Sequence, residues 1–290
     1  MLKRILVGTD FSPASEAVLS CLGNMVERAG LEEVVLAHVV YVANTPGLEE
    51  MLKQDAAPRL EAQAAGLREL GLQVTTVMEV GVPAVGLADL AEKHDVSASV
   101  LGSHGRGAIA RVLLGSVSSG LLYHTTRPVL IIQLRLCETP DGISCELTCH
   151  DLFARVLFPT DFSDAAERAF GCLQGLLVEA KAPVTLFHVQ DSVRLAHLTD
   201  RLAEFDRTDV ARLQRMQAHL ESQGVADVKV EVRHGSPVRE IVGAAREGQH
   251  SLIVMSTQGR GALAEVMLGS VAGQVARLAP VPVLFVPMSA

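Results

Sequence analysis

Glycine and hydroxyl residues recur in this chain in an arrangement suited to holding an anion. Gly102, Gly105, Gly115 and Ser116 follow one another with two and then nine residues between the glycines. Ser256, Gly259, Gly269 and Ser270 repeat that spacing 154 residues later. Gly102 and Gly105 lack a Cβ, so the backbone can come close to a ligand. Gly115-Ser116 and Gly269-Ser270 open helical segments, whose free N–H groups and dipole favour negative charge. The hydroxyls add a hydrogen bond, and Arg106 and Arg260 add positive charge. The plain alternative is that these glycines only make turns and the serines only start helices. Duplication of the whole spacing, with an aspartate placed alike in each half, weighs against it. No Gly-Lys-Ser/Thr follows four spacer residues, and no G-x-G-x-x-G occurs, so this is neither a Walker nor a dinucleotide fingerprint.

The repeat has the size of a domain, and 290 residues suit two. Each half opens alike: Ile5 to Ser12 matches Val156 to Ser163, an apolar run ending in Thr-Asp-Phe-Ser. The run reads as a buried strand, and Ser12 and Ser163 as helix caps, with Pro13 at the first helical position. Those helices are expected to reach about Ala29 and Glu179. Apolar strands at 34–40 and 184–189 follow, then helices over 48–70 and 195–222, ended by Gly71 and Gly224. Strands at 74–80 and 228–233 come next, then turns at Gly81-Val82-Pro83 and Gly235-Ser236-Pro237 that start further helices. Strands at 98–101 and 252–255 lead into the glycine loops, and each half closes on a helix and a last strand, 127–132 and 281–286.

Each half is therefore βαβαβαβαβ. That alternation predicts an α/β fold of two repeated, open, parallel five-stranded sheets with helices on both faces. The expected divisions are a first domain at 1–134, a linker at 135–151 and a second domain at 152–290. In such a sheet ligands sit beyond the carboxyl ends of the strands, where strand order reverses. If the first and fourth strands are neighbours, Asp10 and Gly102 face one crevice. Asp10 there would accept from a base amino group or a ribose hydroxyl, or orient a metal's ligands.

Composition narrows the partners. Net charge is −8, and residues 1–150 hold 11 basic and 17 acidic groups against 14 and 16 in the rest. Neither half has the basic excess that nucleic-acid backbones require. Apolar runs fall short of a membrane span. The charged N-terminus does not read as a signal peptide, and five cysteines make no disulfide scaffold, so the cytoplasm is the expected compartment.

These residues resemble the universal stress protein family in its tandem two-domain form, and within it the nucleotide-binding subgroup with the pattern G-x2-G-x9-G-[S/T]. The Thr-Asp-Phe-Ser openings and the His38-Val39 and His188-Val189 pairs resemble it as well. The resemblance covers nearly the whole chain except the linker. It implies an adenine nucleotide alpha hydrolase-like, Rossmann-like fold. It further implies that Asp10 and the Val39 backbone lie at adenine, with Thr9 among the nucleotide-binding residues, and that Gly102, Gly105, Arg106, Gly115, Ser116 and Val117 hold ribose and phosphates. The matching second set is Asp161, Val189, Gly259, Arg260, Gly269, Ser270 and Val271. ATP, ADP or AMP is the implied ligand, with magnesium on its phosphates. Ser256 departs from the pattern, bringing a Cβ that would either crowd the ribose or be accommodated. The family also implies dimerisation through the last strand, a sheet edge, which in a tandem chain pairs the two domains or builds a homodimer.

Outside the repeats, Cys137, Cys145, Cys149 and His150 could form a tetrahedral zinc set, although C-x7-C-x3-C-H is not a zinc-finger spacing. A redox-active or merely exposed thiol cluster is the competing reading. Cys21 and Cys172 read as buried small hydrophobes. His38 and His188 read as satisfied core or rim histidines.

Three functions remain open on the sequence. The first is a nucleotide-dependent stress-response or regulatory protein with an unidentified protein partner, acting by occupancy on two conformations. The second is a slow ATPase or nucleotidyl-transfer enzyme, although no paired nucleophile and base stands beside the loop. The third is a thiol or metal sensor centred on the linker.

Overall fold

The computed structural model describes residues 2–42, 47–104, 114–139, 142–147, 151–191, 202–259 and 268–288, with backbone alone at 136–147 and 202–203. The chain divides into two compact units, Met1–His150 and Asp151–Met288.

The first unit runs β1 (Arg4–Gly8), α1 (Pro13–Ser20), α2 (Leu22–Ala29), β2 (Glu33–Val40), α3 (Glu49–Glu69), β3 (Gln73–Val80), α4 (Pro83–Lys93), β4 (Ala98–Gly102), α5 (Ser116–His124) and β5 (Val129–Ile132). Two more strands, β6 (Leu134–Thr139) and β7 (Gly142–Leu147), complete it. Its sheet has the order β3-β2-β1-β4-β5, parallel throughout. The second unit runs β8 (Val156–Pro159), α6 (Asp164–Ala180), β9 (Val184–Asp191), α7 (Leu202–Ser222), β10 (Val228–Gly235), α8 (Pro237–Glu247), β11 (Leu252–Ser256), α9 (Ser270–Leu278) and β12 (Val283–Val286). Its order, β10-β9-β8-β11-β12, is again all parallel.

The sequence explains this layering. The runs Ile5-Leu6-Val7 and Leu157-Phe158 are fully buried, as strands covered on both faces must be. The strands at 73–80 and 228–235 are half-buried or exposed along most of their length, since each borders only one neighbour within its unit. Strand order reverses at β1/β4 and at β8/β11, which fixes where a crevice opens.

Helix signals hold at most ends. Ser12 accepts from the Ser15 amide with Pro13 at the first position, and Ser163 accepts from the Ala166 amide. Gly71 and Gly224, after α3 and α7, have φ of 83° and 90°, left-handed values that favour glycine.

One expectation is corrected. The helix expected from Pro13 to Ala29 is interrupted at Cys21. There Ser20 Oγ donates to the Ala17 carbonyl at 2.7 Å and Cys21 Sγ to the Val18 carbonyl at 3.0 Å, so side chains compete for the helix's acceptors. The segment expected as a linker contains the antiparallel pair β6–β7 and groups with the first unit.

Candidate functional site

Each unit turns sharply after its first strand, and the same four residues build the turn. Thr9 Oγ1 accepts from the Phe11 amide at 3.1 Å, and Thr160 Oγ1 from the Phe162 amide at 3.0 Å. Asp10 Oδ1 accepts from the Ser12 amide at 3.0 Å and from its hydroxyl at 2.5 Å; Asp161 does so from Ser163 at 3.1 and 2.6 Å. These bonds hold Phe11 and Phe162 at φ of 59° and 58°, a conformation that bulky residues rarely take. Left-handed backbone costs about 1–2 kcal/mol per residue.

Stacking offsets that cost. The Phe11 ring lies 4.5 Å from the His38 ring with the Arg59 guanidinium 4.5 Å above it. Phe162 lies 4.6 Å from His188, with Arg212 at 5.2 Å. His38 Nδ1 is 2.8 Å from the Thr9 carbonyl and His188 Nδ1 is 2.7 Å from that of Thr160. Both histidines thus tie the second strand to the turn, as satisfied histidines.

The glycine loops start and close alike. The Gly115 amide donates to the Ser103 carbonyl at 2.8 Å and the Gly269 amide to the Thr257 carbonyl at 2.7 Å. A Cβ on Gly269 would stand 3.2 Å from that carbonyl, so the close return depends on glycine. Gly115 and Gly269 cap α5 and α9, and neither helix has a side-chain cap bond. Their first amides, beginning at Ser116-Val117 and Ser270-Val271, remain a place for an anion. A Cβ on Gly259 would come within 2.6 Å of Asp161 Oδ2. Loop and turn are therefore fitted to each other.

Gly102 is closely packed by the protein's own atoms. A Cβ there would meet Leu134 at 3.0 Å and the His104 carbonyl and Val18 at 3.2 Å each. The space is taken by the protein's own packing. Ser256, its counterpart, is accommodated: the hydroxyl donates to the Gln258 carbonyl at 2.5 Å. Val18 has the smaller Ala169 as its counterpart, six residues past the capping serine in both units.

In the second unit these parts enclose a cavity of about 770 Å³. Asp161, Val189, Gly259, Gly269, Ser270 and Val271 all line it, together with Thr160 and Ser256. Arg260 lies outside the described residues. In the first unit, Thr9, Asp10, Val39, Gly102, Gly115, Ser116 and Val117 occupy the equivalent strand ends and helix start. Gly105 and Arg106 lie outside the described residues. The sequence reading missed the α7 wall of the cavity, Glu204, Phe205, Thr208, Asp209 and Arg212, as well as Gln190 beside Val189. Helical spacing of Phe205, Asp209 and Arg212 was the available signal.

The cysteine cluster is only partly described. The register sets Cys137 opposite Ser144 and Cys145 opposite Leu136, so the two positions fall on opposite faces of the β6–β7 ribbon. Cys149 and His150 lie outside the described residues. Among the described residues no group of three His, Cys, Asp or Glu could hold a metal ion, and no helix is long and apolar enough to cross a membrane.

Two parallel α/β units, each with a Thr-Asp-Phe-Ser turn facing a glycine loop, define the class. The chain belongs to the universal stress protein family, whose profile matches residues 1–133 and 153–287. It is similar to the universal stress protein Rv2623 of Mycobacterium tuberculosis, 30% identical over 97% of this chain and 95% of that one. It is also similar to the universal stress protein MJ0577 of Methanocaldococcus jannaschii, 27% identical over 46% of this chain and 96% of that protein. The crystal structure of a universal stress protein from Archaeoglobus fulgidus superposes with a TM-score of 0.75 at 25% identity, covering 97% of this chain and 95% of that one.

Proposed function

We propose that the chain binds an adenine nucleotide in the cavity of its second unit and at the equivalent place in its first, and acts as a nucleotide-dependent regulator. One observation carries this reading: three chain segments distant in sequence bring Asp161, Val189, Gly259, Gly269, Ser270 and Val271 to the wall of a single cavity. The α9 N-terminus supplies amides for phosphate, and the strand ends supply acceptors for a nucleoside. A volume of about 770 Å³ suits a ligand of nucleotide size. Magnesium would ride on the phosphates.

Occupancy can regulate only if two conformations of the protein bind the ligand unequally. The test is purification without added nucleotide, then denaturation and chromatography of what is released, followed by titration of the emptied protein with ATP. Adenine nucleotide in stoichiometric amount, or saturable ATP binding, supports the proposal. Absence of both would refute it.

A further inference from the structure

The second cavity has a wall whose counterpart in the first unit differs in chemistry. Asp209 lies three residues before Arg212, which stands over Phe162. In the first unit Arg59 stands over Phe11, and the residue three before it is Ala56. Likewise His188-Val189 is followed by Gln190, but His38-Val39 by Val40. Ala56 and Val40 are buried, so a buried apolar pair in one unit corresponds to an amide and a carboxylate in the other.

Gln190 and Asp209 both line the cavity. Gln190 Nε2 donates to Asp209 Oδ2 at 3.0 Å, and His188 Nε2 lies 3.5 Å from the same oxygen. The other two acceptors are poorly met. Asp209 Oδ1 has Arg212 Nη1 at 3.7 Å, too long for a hydrogen bond. Gln190 is 3% exposed, and its Oε1 is buried without a partner. Turning the amide round would set its oxygen against the Asp209 carboxylate, so the orientation is fixed. The Asp209 carboxylate lines the cavity with Oδ1 held only by that long ion pair, so a ligand donor would find an acceptor there. A phosphate would be repelled by Asp209 and drawn to the α9 N-terminus, so the donor belongs to the nucleoside end.

We propose that Asp209, with Gln190 beside it, determines specificity in the second cavity by accepting a hydrogen bond from a donor on the ligand's nucleoside part. The donor is an exocyclic amine or a sugar hydroxyl. The two units of one chain then select their ligands differently. This inference rests on the nucleotide reading above.

The experiment uses the full chain with the first site silenced by Gly115→Leu, and calorimetric titration with three probes: ATP, N6,N6-dimethyl-ATP and 2′,3′-dideoxy-ATP. One of the two analogues is expected to bind about tenfold more weakly than ATP, and which one identifies the donor. Asp209→Ala, checked for folding by its melting curve, should weaken ATP about tenfold and abolish the discrimination. Equal binding of all three probes by the protein with Asp209 intact overturns the inference, and this arm requires no change at the cavity wall. An Asp209→Ala protein that binds ATP unchanged also overturns it. Failure of the otherwise unsubstituted chain to bind ATP would instead overturn the proposed function, and the inference with it.

Discussion

Asp161 and Gly259, almost a hundred residues apart in sequence, are fitted so closely that a single added Cβ at Gly259 would stand 2.6 Å from the carboxylate's Oδ2. The carboxylate cannot simply swing away. Its Oδ1 holds the Ser163 amide and hydroxyl, and those bonds keep the turn at Phe162 in its left-handed conformation. Gly259→Ala should therefore displace the loop rather than the aspartate. The second site is expected to lose about tenfold in ATP affinity, with stability lowered by about 1–3 kcal/mol. Calorimetric titration and urea unfolding of the variant check both numbers.

A second close approach couples packing to the first site. A Cβ on Gly120 would stand 2.7 Å from the Ala84 Cβ, where α5 meets α4. Gly120→Ala should push α5 outward and carry Ser116 and Val117 with it. Its expected signature is weaker nucleotide binding at the first site while the second is unchanged, read from a two-site titration.

His250 makes stability depend on pH. Its Nδ1 lies 3.0 Å from the Ala244 carbonyl and its Nε2 3.1 Å from Thr185 Oγ1, a pattern that suits a neutral ring. Burial pushes its pKa down, the Ala244 carbonyl raises it in part, and Arg155 lowers it further. With the folded pKa below the unfolded value of about 6.5, the unfolded state binds more protons between the two. The stabilisation is complete above pH 6.5 or so and is lost as pH falls towards the folded pKa. Urea unfolding at pH 7.5 and 5.5 should show a steeper loss for the natural protein than for His250→Asn. Equal losses would contradict the assignment. Gly248→Ala should destabilise at either pH, since its Cβ would overlap the His250 ring.

Cys172, expected as a buried residue, is half-buried on α6, and desolvation pushes its thiol pKa up to about 12. Only the thiolate is nucleophilic. Peptide mapping after iodoacetamide at pH 8 should find Cys172 unmodified in the folded chain and modified in urea.

The repeat made the fold legible. Strands such as Ile5-Leu6-Val7 carry short apolar runs, and Ser12, Ser163, Gly71 and Gly224 mark helix ends by chemistry that acts locally. What stayed illegible depends on contacts between distant segments. The break at Cys21 comes from side chains bonding to carbonyls within the same turn, which apolar periodicity does not register. The missing Cβ at Gly102 makes room for Val18 and Leu134. Asp209 and Gln190 are ordinary polar residues in sequence, and only folding brings them to one wall. The β6–β7 hairpin had a turn signal in Pro140-Asp141-Gly142, which the reading of the cysteine spacing passed over.

The most direct test of the central claim is titration of the nucleotide-free chain with ATP in magnesium, counting sites, beside the same titration of Gly269→Val. Both units share the turn and the helix start, and Ser256 is accommodated at the second. Binding at two sites per chain is therefore predicted, falling to one when Gly269 can no longer close on Thr257. Absence of saturable binding, or a site count untouched by Gly269→Val, would contradict the account.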